Sequence, residues 1–249
     1  MKNSSSRSLI ISADDFGLVP SVTKGILYGI SKGCITETNF IATSPYCQEA
    51  ALLAKQNQLN NMGIHLNLEI GYSCYDGRDL SKKNLEVGTP EFYTWVEKEF
   101  FSQCEFLIAQ DIALTHLTYH KNIIIDQRMC EIIAKLAMFY NIPVRRLSNE
   151  RLNDYLLDYG IKMPEKRIVN PLGVKYSLRY LQEELREAAQ CRLVEVICHP
   201  GYMSQVLRQM SSLNESRPTE LKLFTDFKTT CMIREEGYSL TDYSIFGDM

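Results

Sequence analysis

Short apolar runs rich in β-branched residues take turns with longer helix-like stretches along this 249-residue chain, and that alternation narrows the fold more than any other feature. Runs of strand length fall at 8–13 (SLIISA), 35–42 (ITETNFIA), 62–68 (MGIHLNL), 114–120 (LTHLTYH), 143–147 (PVRRL) and 192–198 (RLVEVIC). Bounded by turn residues, such runs predict strands. Helical periodicity predicts helices over 20–32, 45–57, 91–110, 126–140, 178–190 and 218–230, with a short closing element over 233–243. In the first helix Ser21 is a capping residue, Ile26, Leu27 and Ile30 share a face, and Gly33 is the stop signal. Residues 71–90 are rich in Gly, Ser, Asp and Lys and predict a long surface loop of a kind that often carries function. Residues 148–176 have a weak pattern and support no assignment. Strand–helix alternation repeated roughly five or six times implies a parallel sheet, closed as a barrel or open as a doubly wound layer. No repeat, low-complexity tract or linker divides the chain, so one domain over 1–249 is expected.

Composition removes several classes of function. A net charge of -3 gives no basic excess for nucleic acid or an anionic membrane surface. No run approaches the roughly 18 apolar residues of a membrane span, and LII near the start is too short for a secretory signal. The eight cysteines are irregularly spaced and form no C-x-x-C, which points to reduced, mostly buried thiols in a cytoplasmic protein. Serine-hydrolase, P-loop and dinucleotide motifs are missing from the sequence. A small, neutral or weakly polar substrate fits best, with no nucleic-acid and no membrane partner.

Four of the strand-like runs end in groups that perform metal or acid–base chemistry. Asp14 and Asp15 follow SLIISA, His65 lies in MGIHLNL, His116 and His120 lie in LTHLTYH, and His199 follows RLVEVIC. In a parallel α/β fold the carboxyl ends of the strands are where sites are built. Neighbouring residues of an extended strand point to opposite faces. Where the chain turns, however, both carboxylates can reach one site, one as metal ligand and one as base; a turn or helix-cap pair is the plain alternative. His65 and Asn67 share a strand face opposite Ile64 and Leu66, which suits a site or a hydrogen-bonded core histidine equally. On a helix His116 and His120 would make a zinc pair. The β-branched, aromatic run predicts a strand instead, on which they stand roughly 13 Å apart. His120, at the carboxyl end, is then the site candidate and His116 is structural. His199 is stopped by Pro200 and Gly201 and is placed to act as an acid or base, for which imidazole suits near-neutral pH. One Asp with two His is a donor set for Zn²⁺, Fe²⁺, Co²⁺ or Mn²⁺, less often Mg²⁺. Such an ion serves amide or ester hydrolysis by polarising a carbonyl and lowering the pKa of water.

Taken in order, SADDFG, GIHLNLEIG, THLTYH, PVRR, EVICHPGY and EEGYSLTDY resemble the YdjC family of carbohydrate deacetylases, in particular its chitooligosaccharide deacetylase branch, over nearly the whole chain. The resemblance implies an α/β, single-domain (β/α) barrel, TIM-barrel-like but distorted or incomplete. It implies an enzyme that removes the acetyl group from an N-acetylated sugar or oligosaccharide. Asp15, His65 and His120 then correspond to the ligands of one divalent metal ion, with Mg²⁺ and Zn²⁺ the leading candidates. Asp14 corresponds to the general base, His199 to the general acid or oxyanion stabiliser, and Arg145 of PVRR to a substrate-binding arginine. The partner is a small N-acetylated carbohydrate, and a homodimer is left open. One departure stands out: where the family carries a histidine-rich run, this chain has TYHKNII over 118–124, which keeps His120 alone and bears on substrate identity. Two other readings stand beside this one, a non-catalytic carbohydrate-binding or regulatory relative and a metal hydrolase of another amide or ester.

Overall fold

The alternation read from the sequence is what the chain builds. A computed structural model describes residues 7–82, 86–121, 123, 126–170 and 176–247. In chain order these form β1 (Arg7–Phe16), α1 (Pro20–Lys32), β2 (Glu37–Phe40), α2 (Cys47–Gln56), β3 (Asn61–Leu66), α3 (Pro90–Ile108), β4 (Ala113–Tyr119), α4 (Gln127–Tyr140), α5 (Glu150–Asp158), β5 (Lys166–Val169), α6 (Leu178–Glu187), β6 (Leu193–Cys198), α7 (Gln205–Met210), α8 (Arg217–Thr225), α9 (Phe227–Glu235) and β7 (Tyr238–Thr241), before a 3₁₀ turn at Tyr243–Phe246. The strands pair in the order β4-β3-β2-β1-β6-β5, with β7 on β1. Among the described residues this path does not close on itself, so the expected α/β barrel is present in its incomplete form. Parallel strands need covered faces, and β1 meets that demand with Leu9, Ile10 and Ile11 all fully buried.

The chain divides into two compact units, Met1–Thr38 with Pro164–Met249, and Asn39–Met163. In the first, β1 pairs in parallel with β6 along Ser8–Ala13 and with β7 along Arg7–Ile10. Ile10, Leu193, Tyr243 and Phe246 pack into one core cluster there. In the second, β3 and β4 run parallel, with His65 opposite Thr118 and Leu66 opposite Tyr119. Phe100, Cys104 and Leu107 of α3 and Leu136 of α4 are fully buried in that unit. Side-chain caps open some helices: the Asp126 carboxylate accepts from Met129 N–H to open α4, and Ser177 accepts from Tyr180 N–H to open α6. Ser21, expected to cap α1, lies inside that helix, whose N-cap is Val19 with no side-chain cap hydrogen bond.

Several expectations are corrected. Residues 143–147 form no strand; Leu117 and Val144 make a single bridge, and Pro143 has no N–H with which to extend it. The unassigned stretch 148–176 holds α5 and β5, and residues 171–175 lie outside the described ones. The helix expected over 218–230 is two helices. Asp226 is extended (φ -78, ψ 126), ends α8 and accepts from Lys228 N–H to start α9, because an aspartate gains more as a cap than inside a helix. Of the 71–90 loop, residues 83–85 lie outside the described ones, as do Asn122 and Ile124 of the 118–124 run.

Candidate functional site

In the first unit, register brings Asp14 and His199 together. β1 and β6 pair up to Ala13 opposite Cys198, so the next residues on the two strands are Asp14 and His199. His199 Nε2 stands 3.8 Å from Asp14 Oδ2, an ion-pair distance rather than a hydrogen bond. The Asp14 side chain is 5% exposed and that of His199 21%, so the histidine is the member that reaches solvent. The backbone N–H of His199 donates to Glu220 Oε2 at 2.6 Å, which ties the strand end to α8. The following turn is packed against the backbone of α1. A Cβ at Gly25 would lie 2.6 Å from Gly201 Cα, which only glycine avoids.

Asp15 breaks the strand alternation. Its φ of 73 is left-handed, uncommon for any residue but glycine. Leu18 N–H closes a turn on its carbonyl at 3.0 Å. This is how two successive carboxylates escape the opposite-face rule of a strand. Asp15 Oδ2 accepts from Arg217 Nη2 at 2.5 Å, with both side chains buried.

In the second unit, two imidazoles meet edge to face with ring centroids 5.4 Å apart, those of His65 and His120. The Thr118 hydroxyl donates to the Ile64 carbonyl at 3.0 Å, so its oxygen accepts from His65 Nδ1 at 2.8 Å. That assigns the proton to Nδ1 and leaves the lone pair on Nε2, the tautomer of a metal ligand held by a partner on its other nitrogen. The backbone N–H of His120 donates to the Leu66 carbonyl at 2.8 Å, which fixes this residue just past the end of β4. His116 is fully buried within β4, and Gly63 makes room for it: a Cβ there would lie 2.5 Å from the His116 ring. Arg145 is also buried, with its N–H on the Leu117 carbonyl. The described part of the 71–90 loop is pinned to α3 by buried Glu99, which accepts from Ser73 Oγ at 2.6 Å and from Tyr75 N–H at 3.0 Å.

Asp15, His65 and His120 are the group of His, Cys, Asp or Glu among the described residues that could hold a metal ion; their ligand atoms lie within 4.8 Å of one another. One carboxylate and two imidazoles, one with its tautomer set by Thr118, fit a borderline divalent ion.

Parallel strands with Asp and His at their carboxyl ends define an α/β protein. The profile of the YdjC-like protein family matches residues 8–235, and the chain belongs to that family. It is 30% identical to carbohydrate deacetylase 1 of Listeria innocua, over 94% of this chain and 98% of that one. It is 26% identical to a carbohydrate deacetylase of Clostridium beijerinckii, with the same coverage of both chains. Among solved structures it is similar to a protein provisionally described as a cellobiose-phosphate cleavage protein from Enterococcus faecalis, with a TM-score of 0.83, 22% identity, and 97% and 99% of the two chains covered. A lactam utilization protein from Thermus thermophilus shares the fold more loosely, at a TM-score of 0.56 and 14% identity over 94% of this chain and 98% of that one. No helix among the described residues is long and apolar enough to cross a membrane.

Three residues with evident roles at these groups escaped the sequence reading: Thr118, Glu220 and Arg217. Thr118 lies on the strand face of His120 by simple alternation, but its cross-strand partner His65 depends on register. Arg217 did carry a signal. It opens α8 immediately before Pro218, where the helix dipole is positive and a guanidinium is misplaced. A cation kept at such a position points to a carboxylate nearby.

Proposed function

We propose that this protein is a metal-dependent carbohydrate deacetylase that removes the acetyl group from an N-acetylated sugar or oligosaccharide, of the chitooligosaccharide type. The observation that carries it is the Asp15, His65 and His120 group in a chain whose relatives are named carbohydrate deacetylases. These three residues would hold the ion; two imidazoles with one carboxylate favour Zn²⁺ over Mg²⁺. The bound ion would supply polarisation of the acetamide carbonyl and easier ionisation of water. Asp14 accepts a proton from the attacking water as its oxygen bonds to the carbonyl carbon. His199 gives a proton to the sugar nitrogen as the C–N bond breaks, so acetate and a free amine leave. The Asp14 carboxylate stands 3.8 Å from His199 Nε2, so base and acid belong to one corner of the site. Arg145 orients the substrate or the base. A cytoplasmic site of action is consistent with eight cysteines, none in a disulfide among the described residues.

The test is acetate release from a panel of N-acetylated sugars by the metal-loaded protein. Release should stop on chelation, and Asp14→Asn should lower kcat by about 10²–10⁴-fold with metal content unchanged. Undiminished release in metal-free buffer would refute the proposal. Sugar binding with no acetate release from any member of the panel would favour the non-catalytic relative.

A further inference from the structure

Arg217 is held through two nitrogens of its guanidinium. Nη2 donates to Asp15 Oδ2 at 2.5 Å and Nε donates to the Leu213 carbonyl at 2.7 Å. Its own carbonyl accepts from Gly201 N–H at 3.3 Å, and a Cβ on Gly201 would come within 3.4 Å of its Cδ. At 1% exposure the guanidinium is out of water, and it sits at the first position of α8 against the helix dipole. A desolvated cation in that place is costly unless paired, and Asp15 is a partner equally buried. We propose that Arg217 is a positioning residue that fixes the Asp15 carboxylate for metal ligation, an inference that rests on the metal reading above. By holding Oδ2 it sets the plane of the Asp15 carboxylate. Anchorage by Leu213 makes that hold rigid. Through Gly201 the same residue also braces the turn that follows His199.

Lysine separates position from charge. A single ammonium keeps the cation but lacks the planar fork that reaches Leu213 and Asp15 together. The experiment compares wild type, Arg217→Lys and His65→Ala for Co²⁺ affinity by chelator competition and for the visible bands of bound Co²⁺, which report ligand geometry. Arg217→Lys should bind Co²⁺ about tenfold or more weakly, within the 10–100-fold range for groups that orient a ligand, and with shifted bands. Wild-type affinity and bands in Arg217→Lys would overturn the proposal. Wild-type Co²⁺ binding by His65→Ala would sink the metal reading itself, independently of Arg217. Should Arg217→Lys fail to fold, the Asp15→Asn, Arg217→Met double variant decides. If it folds, the failure belongs to the Asp15 charge that Arg217 governs; if it does not, Arg217 is a stability residue and the proposal falls.

Discussion

Glu37 should make this protein less stable at neutral pH than at mildly acid pH. It opens β2 at 4% exposure, and its Oε1 accepts from Thr38 N–H at 3.1 Å. Burial, the largest cause, pushes its carboxyl up from 4.5 to about 8; the Thr38 N–H opposes this and the nearby Asp242 carboxylate adds to it. The unfolded chain gives up this proton near pH 4.5 while the folded chain keeps it to about pH 8. Because the folded state binds more protons in that window, stability falls as pH rises through it. Each pH unit costs about 1.4 kcal/mol, so the loss from this one group is on the order of 3 kcal/mol by pH 7. Glutamine has the shape of the neutral acid and never ionises. Glu37→Gln should therefore be close to wild type at pH 5 and about 3 kcal/mol more stable at pH 7. Urea unfolding at pH 5, 6 and 7 with an unchanged m-value measures the difference directly. A gap between the two proteins that stays constant over that range would show that Glu37 is ionised in the fold and that its burial has been misjudged.

Thr118→Val keeps the shape of β4 but removes the acceptor of His65 Nδ1, and the loss of an orienting partner should weaken metal binding about tenfold; an unchanged chelator-competition curve would contradict the tautomer assignment. Gly25→Ala drives a methyl into Gly201 Cα, where backbone meets backbone and no side chain can yield. It should cost about 1–3 kcal/mol in thermal unfolding and lower kcat by displacing His199, with bound metal unchanged. Equal kcat in the two proteins would separate α1 from the His199 turn.

The fold was legible wherever local pattern and tertiary role agree. The boundaries expected for the first helix are those observed, since Pro20 can begin a helix and Gly33 can stop one. β5 was not legible, because KRIV is only four residues long and gains its identity from parallel pairing with β6. The break between α8 and α9 was hidden because Asp226 interrupts an otherwise continuous helical periodicity. For the site, strand ends carrying Asp or His identified Asp14, Asp15, His65, His120 and His199 as candidates, because strand polarity is written in the order of elements. The residues that orient them depend on register and on helix packing. Thr118 faces His65 only after β3 and β4 have aligned, and Arg217 reaches Asp15 across 202 positions of chain.

β1 leaves the ribosome before the other strands of its sheet, yet two of the strands that pair with it come much later in the chain, β6 at Leu193–Cys198 and β7 at Tyr238–Thr241. Until residue 193 has emerged, one edge of β1 lacks its strand, and the run Leu9, Ile10, Ile11 has only part of its cover. A bare, apolar, β-branched edge is a template for pairing with other chains. A message cut short before that point would thus yield a product that carries Asp14 and Asp15 on a strand with one edge unpaired. The burden of keeping the nascent chain soluble falls on the interval between the first strand and the sixth.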